Sequence, residues 1–69
     1  MVNGQNTWWT DDGGWIHKTP EPGGTWVVTR RDALGTALYE QRFTDETAAY
    51  YFAGGAWWEG VQRARAART

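Results

Sequence analysis

The sequence predicts a single α+β domain, a small antiparallel sheet of three to four strands packed by one C-terminal helix. Three observations carry that expectation. The chain has 69 residues, enough for only one hydrophobic core. Between residues 7 and 43, short runs rich in Trp, Val and Thr are separated by turn-forming clusters of Asp, Pro and Gly. From residue 45 onward the apolar residues recur at helical rather than alternating spacing, and arginines gather at the far end.

The first element is a hairpin over residues 7–19. Thr7 to Asp11 and Gly14 to Lys18 flank Asp12-Gly13, a dipeptide suited to a two-residue type I′ turn. That loop length sets Thr10 opposite Trp15, Trp9 opposite Ile16 and Trp8 opposite His17. One face then carries Trp8, Trp15 and His17, and the other carries Trp9, Ile16, Asp11 and Lys18. With large apolar groups on both faces, at least one Trp is expected to stay exposed.

Residues 19–24, TPEPGG, form a loop, because two prolines lack a donor and two glycines add freedom. A second hairpin follows over residues 25–43. Asp32-Ala33-Leu34-Gly35 is its turn, with a type I geometry and a left-handed glycine. Trp26, Val28, Ala37, Tyr39 and Phe43 then share the core side. Thr25, Val27, Thr29, Arg31, Thr36, Leu38, Glu40 and Arg42 share a mixed solvent face.

The helix is expected over residues 45–66, with 67–69 as a tail. Thr44 or Asp45 can cap it, and acidic residues fit its positive first turn while Arg63, Arg65 and Arg68 fit its negative end. At 100° per residue, Tyr50, Tyr51, Trp57, Trp58 and Val61 share one arc with Ala53, Gly54 and Ala64. Gly54 in that arc would allow a close approach to the sheet, whereas Gly54-Gly55 could instead kink or divide the helix. Phe52 falls on the polar side, either packing on the first hairpin or standing exposed.

Composition narrows the function. There is no cysteine, hence no disulfide and no thiolate metal site. The opening MVNGQNTWWT lacks the basic and apolar regions of a secretory signal, and no run approaches the ~20 apolar residues of a membrane span. A soluble cytoplasmic protein is expected. Serine is absent as well as cysteine, and the one histidine, His17, sits mid-strand beside Trp residues, with Asp11, Asp12 and Glu21 as its only local cluster and Asp12-Gly13 serving the turn, so no nucleophile, metal site or cofactor site is expected. The paired acids Asp11-Asp12 and Asp45-Glu46 suit a turn and a helix start. No enzyme is expected.

Binding is therefore the expected role, and the aromatic surplus supports it. Six Trp, three Tyr and two Phe stand against four Val, one Ile and two Leu. Most of these rings are needed for the core. Trp8, Trp15, Leu38 and Phe52 are candidates for a surface that binds a protein partner or a second copy of the chain. The Ala/Arg/Gly/Trp-rich composition and small size fit an accessory protein of a phage or mobile element.

The run TWVVTRRDALGTALYEQRFTDETAAYYF, residues 25–52, resembles part of the small sheet-plus-helix DNA-binding domains of plant ethylene-response factors and phage integrase arm-binding domains. The shared pattern is a Trp-led strand, a Gly turn, a strand ending in Phe43, and a Thr-rich cap leading to Ala48-Ala49. That resemblance implies an alternative role in DNA binding, with Lys18, Arg30, Arg31 and Arg42 contacting the nucleic acid. The net charge of −1 departs from the basic excess such domains carry.

Overall fold

The computed structural model describes residues 5–68 and has the expected β-β-β-β-α order. Strands β1 (Thr7–Trp9), β2 (Trp15–Pro20), β3 (Trp26–Arg31) and β4 (Ala37–Phe43) form one antiparallel sheet in sequential order, followed by helix α1 (Glu46–Arg68). The segment read as a loop is a third hairpin connection. Glu21 N donates to Thr25 O over 2.8 Å and Gly24 N to Glu21 O over 3.3 Å, so β2 extends through Pro20 and turns directly into β3. Pro20 is the last residue of its strand.

The second hairpin has the expected turn: Gly35 N donates to Asp32 O, and Gly35 lies at φ 89°. The first hairpin differs from expectation by one residue. Its register pairs Thr7 with His17, Trp8 with Ile16 and Trp9 with Trp15. The cause is a three-residue loop, Asp11-Asp12-Gly13, closed by Thr10 N to Gly14 O at 3.0 Å. Asp12 Oδ1 accepts from both the Thr10 hydroxyl and Gly14 N, which fixes the wider turn, and Gly13 at φ 88° supplies the left-handed residue.

A one-residue slip exchanges faces. Trp8, Ile16, Lys18, Trp26, Val28, Arg30, Tyr39, Gln41 and Phe43 lie on the helix side, while Trp9, Trp15, His17, Thr29, Arg31, Glu40 and Arg42 lie on the open side. Val27 and Thr29, expected on a solvent face, are buried. They occupy the central strand β3, with Thr19 and Arg42 beside Val27 and with His17 and Glu40 beside Thr29.

The helix is continuous through Gly54-Gly55. Asp45 is its cap: Oδ1 accepts from Ala48 N at 2.9 Å. Its sheet-facing stripe is small. Ala49 and Ala53 are fully buried and pack with Trp8, Ile16 and Val28, with Trp26, Phe43, Tyr50, Ala56 and Trp57 at the margin. Tyr51 and Trp58, expected in the buried arc, are 66% and 48% exposed. The bulk is supplied by the sheet, so the helix contributes alanines at the closest contact, holds Tyr50 and Trp57 at its margin and carries Tyr51 and Trp58 outside it.

Candidate functional site

The four residues singled out for protein binding occupy different environments. Trp8 is a correction: it is 5% exposed and lies in the core, 5.5 Å from the Tyr50 ring, because the actual register turns it toward the helix. Trp15 is half-buried on the open face, 5.8 Å from the ring of the exposed Trp9. Leu38 is exposed and takes the bulge of β4, with no residue opposite it in the β3 register. Phe52 packs on Phe43 at 5.1 Å and Tyr39 at 6.2 Å, which belong to the second hairpin rather than the first. It retains 39% exposure.

The outer helix surface brings together residues the sequence reading placed in the core. Tyr51 and Gly55, one turn apart, form a saddle between two clefts. The cleft toward β1 holds about 500 Å³ and is also lined by Gln5, Thr7, Trp8, Trp9, Tyr50, Gly54 and Trp57. The cleft toward β4 holds about 440 Å³ between Phe52, Tyr39, Ala56 and Glu59. Beyond its own helix backbone, Gly55 has no heavy atom within 4 Å of where a Cβ would sit, and it is exposed, so the saddle is open to solvent.

Trp57 pins the helix to the edge strand by donating from Nε1 to Trp9 O over 3.0 Å. Trp58 lies 6.1 Å from Trp57, with the Arg65 guanidinium 5.7 Å above its ring. A helical-wheel plot alone does not find this surface, because it ranks Tyr51 and Trp58 as core. The signal that separates them is the stripe Ala49, Ala53, Ala56, Gly60 and Ala64, spaced at three and four residues.

The basic residues considered for DNA are divided between the two faces of the sheet. Lys18 is buried on the helix side, donating to Asn6 Oδ1 at 2.8 Å and Glu46 Oε2 at 2.7 Å and lying 4.8 Å over the Trp26 ring. Lys18 is thus a core residue and not a surface contact. Arg30, also on the helix side, pairs with Asp12 at 3.1 Å. On the open face, Arg42 is held in a forked bond by Glu21 at 3.1 and 3.2 Å. Arg31 donates to His17 Nε2 at 3.2 Å and to Gly35 O at 2.8 Å.

Two titrations are displaced. Burial, and then the Arg31 guanidinium, hold the His17 imidazole below its ordinary value, against an opposing pull from Glu40. Asp12 is lowered chiefly by the Thr10 hydroxyl, then by Gly14 N–H, with Arg30 contributing. Among the described residues no group of three or more His, Cys, Asp or Glu side chains could hold a metal ion, and no helix is long and apolar enough to cross a membrane.

No protein-family model matches the chain, and neither a curated protein nor a solved structure matches it.

Proposed function

We propose that this chain is a non-catalytic protein-interaction module that receives its partner on the aromatic saddle of the helix. The observation that carries the reading is the open Tyr51–Gly55 saddle: a large ring 66% exposed stands beside bare helix backbone, with an apolar cleft on either side. Exposed aromatics beside concave apolar surface are the usual composition of binding hot spots. A mid-helix glycine costs about 1 kcal/mol relative to alanine. Among the described residues nothing beyond its own helix lies within 4 Å of where a Gly55 Cβ would sit, so no close packing offsets that cost, whereas a partner seated on the backbone would.

The setting of the basic residues supports the DNA alternative less well. A duplex would have to compete with Glu21 for Arg42 and with Asp12 for Arg30, and those two arginines lie on opposite faces.

The test uses two baits for affinity capture from the cells of origin: the natural chain and Gly55→Gln. The substitution fills the saddle while improving helix propensity, so it removes binding without loosening the fold. Capture of a specific protein by the natural chain, lost with Gly55→Gln, is the expected result. Equal capture by both baits would remove the saddle from the account.

A further inference from the structure

We infer that the free edge of β4 pairs with β4 of a second copy, about a two-fold axis at Gln41, to form a continuous eight-stranded sheet. This inference is carried by the β4 edge and does not rest on the proposed function, although Tyr39 also lines the cleft between the helix and β4.

β4 is an edge strand of seven residues, and all but Phe43 are exposed. It contains neither proline nor lysine, and of the devices that protect a free edge it keeps a bulge near its start and the charges Glu40 and Arg42. Its bulge lies at the Arg31 end, so the pairing with β3 from Tyr39 to Phe43 is regular. The other edge, β1, has only three residues.

The sequence of β4 is complementary to itself when run antiparallel. Centred on Gln41, Glu40 of one copy stands opposite Arg42 of the other, and Arg42 opposite Glu40. Tyr39 stands opposite Phe43, and Phe43 opposite Tyr39. Directly opposed residues lie on the same face about 4.5–5.5 Å apart, so the two charge pairs form on the open side and the two aromatic pairs on the helix side. Sliding the register by one residue in each copy sets Glu40 against Glu40 or Arg42 against Arg42, which is repulsive. Among arrangements with both helices on one side, the centre at Gln41 is therefore favoured over its immediate neighbours.

The charges are available for this role. The Glu40 side chain is 48% exposed and that of Arg42 is 60% exposed. Glu21 engages Arg42 through Nε and Nη2. Nη1 lies 3.8 Å from its own Glu40, beyond hydrogen-bond distance, so it can donate across the axis.

Sedimentation velocity over a concentration series tests the inference, with far-UV circular dichroism confirming that each variant is folded. The natural chain is expected to show a monomer–dimer equilibrium. Glu40→Arg and Arg42→Glu are each expected to weaken self-association roughly ten- to a hundredfold, since both cross-axis pairs become repulsive. Mixing the two variants restores both attractions, so a one-to-one dimer should reappear. Gln41→Glu and Gln41→Lys form a second, independent set, each repelling itself across the axis and attracting the other. A natural chain that stays monomeric at about 1 mM would overturn the inference. So would dimerisation unaffected by the reversals, or mixtures that fail to recover it.

Discussion

Lys18 on β2 and Glu46 in the first turn of the helix meet at 2.7 Å, tying the second strand to the start of the helix. The Lys18 side chain is fully buried and Glu46 is 38% exposed, so water screens only one end of the pair. Removing the carboxylate leaves a buried ammonium with weaker compensation. Glu46→Ala is expected to cost about 1–2 kcal/mol in urea unfolding, below the full cost of breaking a buried pair because Glu46 is partly solvated. Lys18→Met, which removes the charge and keeps the bulk, should cost less than Glu46→Ala. The reverse order would mean that the ammonium's bond to Asn6 and its contact with the Trp26 ring contribute more than its bond to Glu46.

The glycines divide into two kinds. A Cβ on Gly14 would come within 2.2 Å of Arg31 O, a contact with rigid backbone, so Gly14→Ala should be among the most damaging single changes in the chain. Gly55 and Gly60 meet nothing within 4 Å. Gly55→Ala and Gly60→Ala should each raise stability by about 0.5–1 kcal/mol, read as a shift in the denaturant midpoint without a change in slope.

The adjacent tryptophans Trp8 and Trp9 should behave oppositely. Trp8→Ala empties the centre of the core and is expected to cost about 3–5 kcal/mol. Trp9, at 69% exposure, should cost no more than about 1 kcal/mol, most of it from its contact with Trp15. Paired thermal melts of the two variants separate this arrangement from the two-residue turn, which would send Trp8 to the opposite face from Ile16.

His17 makes stability depend on pH in a definite direction. Arg31 Nε donates to His17 Nε2, so that nitrogen must carry its lone pair, and Nδ1–H then faces Thr19 Oγ1 at 3.2 Å. The folded imidazole binds a proton less readily than the unfolded one, whose ordinary value is 6.5. The unfolded chain therefore binds more protons as pH falls through that value. The contribution of neutral His17 is complete above about pH 6.5 and is lost progressively below it. His17→Gln should flatten the stability profile between about pH 7 and 5. Asp12, whose folded pKa is lowered, contributes above its ordinary 3.8 and loses that contribution as pH falls through its folded value.

The order of elements was legible because alternation, turn chemistry and caps agree. Asp32 to Gly35 forms the expected turn, and Asp45 is one of the two expected caps. The first hairpin was misread because Asp12-Gly13 suits two loop lengths, and the choice is made by the Asp12 side chain bonding to both Thr10 and Gly14. Strand alternation survives that error, whereas the pairing between strands does not. Trp8 thus changes from a surface candidate to a core residue.

The helix face was misjudged for a different reason. Hydrophobicity ranks Tyr51 and Trp58 above alanine, but a sheet already carrying Trp8, Trp26 and Phe43 leaves room for small residues at the closest approach. The saddle follows from that exchange of volumes between layers. It could not be read from the helix alone.

The most direct test of the central claim is radical footprinting of the chain alone and with its captured partner. Leu34, 92% exposed at the tip of the β3–β4 turn, serves as an internal reference. Labelling of Tyr51 and Phe52 is expected to fall on binding while labelling of Leu34 holds constant. Protection of Leu34 with Tyr51 and Phe52 still labelled would place the partner elsewhere and contradict the proposed function.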